Sequence, residues 1–263
     1  MSPAARELFA SPGHLLGYNA QANVTDESRM KISIHIPKTA GTLFADVLKA
    51  NRHGRLAFFY GTEDPRTHAA LRAGPPFDAD AVGRLEDAGI EWVHGHFAAG
   101  HWKDSVPDPA DYVVWLRDPI ERIVSNYFFH KRQPDEGNET AVAIYNGEMS
   151  LEDYAAAPGV EHLFRRMTHP FKISDYGFVG ITEMFADSLG LLGLAPLKGR
   201  RSANVNRDKP AVSLKARRRI AEANLDDVAV YSAALAELNR KLEVARSAPA
   251  PRGRLLSRLI RQT

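Results

Sequence analysis

Residues 35–42 read His-Ile-Pro-Lys-Thr-Ala-Gly-Thr and lie between the apolar run 32–36 and the helix-forming run 43–50. A strand ends, a tight loop follows and a helix begins, so this part of the chain must fold as a strand–loop–helix unit. The first amides of a helix have no partner inside it, and the helix dipole places roughly half a positive charge there. Lys38 adds a full charge, and Thr39 and Thr42 add hydroxyls. Such a loop is suited to cradling an anionic group of phosphate type.

The rest of the chain repeats the alternation of strand and helix. Residues 55–60, 90–94, 112–116 and 178–181 read as further strands. The run 112–116, Tyr-Val-Val-Trp-Leu, is apolar on both faces, as in a buried parallel strand. Helical patterns fall at 41–50, 78–88, 119–131, 183–192, 213–223 and 226–245, with one or two short helices in 150–168. Asp78 and Asp118 suit N-caps, and Pro119 suits a first helical position. Residues 61–77 and 132–149 read as loops, and 198–210 as a basic loop. The expectation is an α/β three-layer fold with a mainly parallel central sheet flanked by helices. A chain of 263 residues suits one such domain, placed at 31–245, with an N-terminal arm at 1–30 and a basic tail at 246–263.

Ligands in these sheets bind beyond the carboxyl ends of the strands. Three segments fall there: 37–42, 94–96 and 117–125. The first departs from the P-loop consensus, because its lysine precedes the glycine and the loop is shorter. It suits a single terminal group beside a 5′-phosphate better than a wrapped triphosphate. In the third, Arg117 stands at a strand end and Ser125 in the second turn of the following helix. Both side chains can reach one anion, the arginine as a bidentate fork; pairing of Arg117 with a nearby carboxylate is the alternative. The segments 37–42 and 117–125 are expected to sit two strands apart. His94 and His96 flank Gly95, and positions i and i+2 of a strand point the same way. They suit a base, a metal site with His101 as a third ligand, or a pair of hydrogen-bonded core histidines.

Composition narrows the classes. The formal net charge is +2, yet Arg246, Arg252, Arg254, Arg258 and Arg261 lie in the tail without an acid, which leaves −3 on the rest. A nucleic-acid binder carries its basic excess on the folded domain, so no nucleic-acid partner is expected. Leu255, Leu256, Leu259 and Ile260 fall at helical spacing among those arginines. Weak contact with an anionic membrane surface is one reading of that pattern, and a loosely docked tail is the other. The chain has no cysteine, no secretory leader pattern in residues 1–30 and no apolar stretch near 18 residues. The expectation is a soluble cytoplasmic protein.

Taken together, the motifs resemble a known family. The segment 36–42 looks like the 5′-phosphosulfate-binding loop of sulfotransferases that use 3′-phosphoadenosine 5′-phosphosulfate (PAPS), an α/β family with a P-loop-like fold. The segment 117–127 looks like their 3′-phosphate-binding element, and 94–96 is similar to the heparan sulfate 2-O-sulfotransferase segment whose second histidine is the catalytic base. The segment 179–183 resembles a further signature. The resemblance spans about residues 31–245 and is nearest to carbohydrate sulfotransferases and their bacterial relatives.

It implies His96 as base, His94 as its support and Lys38 as stabiliser of the leaving oxygen. It also implies a nucleotide held by Lys38, Thr39, Ala40, Gly41, Thr42, Leu43, Arg117, Ser125 and, from the basic loop, Arg207. The implied co-substrate is PAPS, the product 3′-phosphoadenosine 5′-phosphate (PAP), the acceptor a hydroxyl, usually on a saccharide, and no metal is required. A P-loop nucleotide kinase and a non-catalytic nucleotide-binding relative are the alternative functions.

Overall fold

In a computed structural model of the protein, residues 29–52, 54–197 and 210–247 are described. The N-terminal arm to residue 28, most of the basic loop with Arg207, and the tail beyond residue 247 lie outside them. The five apolar runs form five strands: β1 (Lys31–Ile34), β2 (Leu56–Phe59), β3 (Trp92–Gly95), β4 (Tyr112–Leu116) and β5 (Phe178–Ile181). They make one sheet in the order β2-β3-β1-β4-β5, with every pairing parallel. All five residues of β4 are buried, so an apolar residue is favoured at every position rather than at alternate ones.

Helices follow β1, β2, β4 and β5, whereas two single 3₁₀ turns, Ala99–His101 and Pro109–Asp111, join β3 to β4. The helices are α1 (Gly41–Arg52), α2 (Ala79–Asp87), α3 (Pro119–His130), α4 (Glu139–Asn146), α5 (Leu151–Ala155), α6 (Leu163–Thr168), α7 (Phe185–Leu191), α8 (Leu214–Ala223) and α9 (Leu225–Ser247). Strand parity sorts the core into two layers. Ile32, Ile34, Val93 and Val114 face Leu85 of α2 and Val230 and Leu238 of α9. Trp92, Val113 and Trp115 face Phe44, Val47 and Leu48 of α1 and Leu189 of α7. A third cluster joins Ile123 and Tyr127 of α3 to Ile144, Tyr154 and Ile220 of the helices packed on it. The α/β three-layer expectation is therefore met, and the sheet is wholly parallel.

Two expectations need correction. The segment 132–149 is not all loop, because α4 lies within it. Asn138 caps it by accepting from the Ala141 amide at 3.1 Å, and Gly147 ends it in the left-handed region. Its buried positions are only Ala141 and Ile144, too few to print a helical period on the sequence. Second, the strands that lead into the lysine loop and into Arg117 are direct neighbours, since Ile34 pairs with Val114. From β1 the chain crosses to β2 on one side, and from β4 to β5 on the other. The carboxyl ends of β1 and β4 therefore flank the switch point where such sheets open a crevice.

The opposite end of the sheet is closed by charge pairing. Lys31 is buried with its Nζ 2.8 Å from Asp111, which also pairs with Arg29. That lysine is structural, in contrast to Lys38 at the carboxyl end.

Candidate active site

The loop after β1 is shaped by two non-glycine residues in the left-handed region, Lys38 at φ +70° and Ala40 at φ +66°. Each costs on the order of 1–3 kcal/mol, a strain that marks sites where backbone position matters. Thr39 braces the turn between them. It is fully buried, and its hydroxyl donates to the Ile36 carbonyl at 2.8 Å while its amide turns to the same oxygen at 3.4 Å. Its side chain is thus spent on the loop, so of the two threonine hydroxyls only Thr42, which is exposed, faces outward.

In α1 the first amide to find a backbone carbonyl is that of Phe44, which donates to Ala40 at 3.0 Å. The amides of Ala40, Gly41, Thr42 and Leu43 have no acceptor among the described residues, and the first turn holds no acid. That leaves a fan of unpaired donors at a helix N-terminus.

Two cations belong to or brace this loop. Lys38 Nζ lies 4.3 Å from the centre of the Phe129 ring, and no carboxylate pairs with it among the described residues. Burial, then Arg117, then Arg132 hold its pKa below the usual lysine value. Arg117 follows β4 directly and donates from Nη1 to the Lys38 carbonyl at 3.2 Å, so it fixes the loop as well as charging it. The carboxylate paired with it among the described residues, Glu183, is 3.9 Å away and is already engaged, accepting from the Asp118 amide and from the Tyr231 hydroxyl, each at 3.1 Å. Ser125 is half-buried on α3, four residues before Phe129 and hence on the face that Lys38 touches. Its hydroxyl bonds to nothing among the described residues.

The histidines stand on the other side of the loop. His94 pairs in register with Ser33 across β3 and β1, and the two side chains hydrogen-bond at 2.8 Å. His94 is buried, and its pKa is lowered to about 3, by burial first and then by His96. His96, two residues on, is exposed along one edge. Crowding on its other side is the main cause of a lowered pKa. Arg66 pushes the same way and Asp64 opposes it. His96 is therefore neutral at pH 7 and open to solvent, as a base must be.

Gly95 has no room for a side chain, since a Cβ there would lie 2.0 Å from the Phe59 carbonyl oxygen. Close approach of β2 thus fixes the residue between the two histidines. His101 does not complete a metal triad with them. Among the described residues no cluster of three or more such donors is placed to hold a metal ion.

Sequence reasoning assigned no role to His35, and the structure places it at the centre of the group. Its ring stacks on His94 at a centroid distance of 5.1 Å and meets His96 at 4.5 Å and Tyr60 at 6.0 Å. Burial is the first cause of its low pKa, about 2, with His94 and His96 next. The available signal was the alternation of 32–36, Ile-Ser-Ile-His-Ile, which sends Ser33 and His35 to one face. That face is shared with His94 and His96 of the neighbouring strand. His35 contacts both His94 and His96. Tyr60 closes a triangle with His35 and His96, lying edge-on to His96 at 4.9 Å, with the Arg66 guanidinium 4.2 Å over the Tyr60 ring. Two hydrogen bonds from Arg66 to Asp64 hold the Asp64 carboxyl at about 2.

Two buried neutral histidines carry a cost in acid. In the unfolded chain they bind protons as pH falls through 6.5, whereas in the folded chain they do so only at about 2 and about 3. The unfolded state therefore holds more protons between those limits, and stability declines with pH by roughly 1.4 kcal/mol per unit for each histidine. Thermal melts between pH 6.5 and 4.5 should show the loss. His94→Gln, which keeps a group able to bond Ser33, should make that slope shallower. An unchanged slope in that variant would reject the account.

No family model and no curated protein matches this chain. No helix among the described residues is long and apolar enough to cross a membrane.

Proposed function

We propose that the protein transfers the sulfuryl group of PAPS to a hydroxyl of an acceptor, in the first instance a saccharide. The observation that carries this reading is one loop, 38–43, with unpaired amides, with Lys38 and Arg117 on one side and the exposed His96 on the other. In this reading the amides of residues 40–43 hold the 5′-phosphosulfate, and Arg117 and Ser125 hold the 3′-phosphate one strand away. His96 takes the acceptor hydroxyl proton, the acceptor oxygen forms a bond to sulfur, and the bond from sulfur to the 5′-phosphate oxygen breaks to leave PAP. Lys38 balances charge on that leaving oxygen. A sulfuryl group carries less charge than a γ-phosphoryl, and its transfer relies on positioning and electrostatics, so protein cations suffice in this reading.

The kinase alternative needs Asp118 on a magnesium ion at the end of β4. The Asp118 carboxylate instead caps α3, accepting from the Glu121 amide at 2.9 Å, which favours the transferase reading. The two readings separate in a thermal-shift comparison, because only a bound nucleotide stabilises. PAP at about 100 times its dissociation constant should stabilise the fold by about 2.7 kcal/mol, and ATP with Mg²⁺ by far less. The reverse order would establish the kinase reading. A PAP-binding chain that turns over no acceptor in a screen of saccharides, phenols and small alcohols would be a binding module.

A further inference from the structure

His35 belongs to no step of the proposed reaction, yet it touches both halves of the site. A Cβ on Gly41 would fall 1.8 Å from His35 Cδ2 and 2.0 Å from its Nε2, so the imidazole rests directly on the Gly41 backbone. Gly41 is the first residue of α1 and one of the unpaired donors of the anion loop. The other side of the ring meets His96 at 4.5 Å. His94 backs it at 5.1 Å and is itself fixed by Ser33 at 2.8 Å, so the ring has little room to yield. The amide of His35 is tied to the Gly95 carbonyl at 2.8 Å, between His94 and His96.

We propose that His35 is a positioning residue, a rigid wedge that sets the distance between the anion loop and His96 and couples the occupancy of one to the place of the other. This rests on the reading of the loop and of His96 given above. The glycine at 41 is part of the same device, because any side chain there would expel the wedge. The ring acts by its shape. Its Nδ1 is buried without a hydrogen-bond partner, and neither ring nitrogen bonds to another described residue, so no polar contact of the ring orients His96. An aromatic ring without nitrogen should therefore serve, and a small side chain should not.

The test follows the imidazole resonances of His96 by NMR in the full chain, free and with PAP. In the free protein, His35→Ala uncovers one side of His96, whose titration should rise toward 6.5. His35→Phe should leave it where the wild type has it. With saturating PAP the His96 resonance should shift in the wild type and in His35→Phe. In His35→Ala the response should fall below about half while PAP affinity stays within about threefold. Gly41→Ala, which displaces the wedge without altering His35 itself, should raise the free-protein titration as His35→Ala does. It keeps the idea testable should His35→Ala not fold.

An unchanged His96 titration and PAP response in His35→Ala, or a phenylalanine variant that behaves as alanine does, would overturn the proposal. Failure of PAP to move any resonance in the wild type would instead sink the nucleotide reading and the coupling with it. The free-protein titration would then still decide whether His35 sets the environment of His96.

Discussion

Replacing His96 with alanine should slow sulfuryl transfer by about 10²–10⁴-fold, the usual worth of a positioned general base, and leave PAP affinity within about twofold. The separation follows from where the residue sits. His96 is on the outer side of the wedge formed by His35, and the cations that would hold the nucleotide are on the other side of the loop. Removing its ring deletes the proton acceptor and touches no proposed phosphate ligand. Transfer of labelled sulfate to an acceptor found by screening gives the rate, and calorimetry gives the affinity. Full transfer in the variant would remove His96 from the mechanism.

The pH profile of the wild type is a second reading of the same residue. Only the neutral imidazole accepts a proton, and burial holds its pKa below 6.5. The transfer rate should rise with pH, reach half its plateau below pH 6.5 and stay flat through pH 8. A rate still climbing above pH 7 would assign the base to another group.

Much of this site is legible in the chain itself, for a physical reason. A buried parallel strand must be apolar throughout, so the five strands stand out as runs, and the polar residues that interrupt or end them stand out as well. Lys38, His94, His96 and Arg117 were legible on that ground. His35 was not, because its importance lies in a contact with Gly41 across a turn whose left-handed residues, Lys38 and Ala40, carry no glycine signature. Thr39 misleads in the opposite sense: its hydroxyl suggests a ligand, and the loop consumes it internally. Strand order was also illegible, since sequence patterns fix which runs are strands but not which neighbour each one takes. Adjacency of β1 and β4 brings the two proposed phosphate sites closer than expected. The helix at Glu139–Asn146 stayed hidden because only two of its residues meet the core.

Arg117→Ala should weaken PAP by about 10²-fold, and adenosine 5′-phosphate, which lacks the 3′-phosphate, by about threefold or less. Hydrogen bonds to a charged group are worth about 1.5–3 kcal/mol, and every 1.4 kcal/mol is tenfold in affinity. A guanidinium that offers two such bonds to a phosphate can account for the larger figure. Its present partners do not saturate it. Glu183 stands 3.9 Å from its Nε and serves two other donors, while one Nη1 hydrogen bond goes to the Lys38 carbonyl. That last bond is the origin of the smaller loss. Without it the loop relaxes, and any ligand of the amides at 40–43 is held less well, whatever it carries at the 3′ position.

Arg117→Lys should fall between the two, because it keeps the charge and loses the planar fork. The contrast is read by calorimetry of both nucleotides at one ionic strength, since exposed charge pairs weaken with salt. Equal losses for both would reduce Arg117 to a brace of the loop and move the 3′-phosphate site elsewhere. A loss confined to PAP would assign the phosphate to the end of β4, beside Lys38 and Phe129.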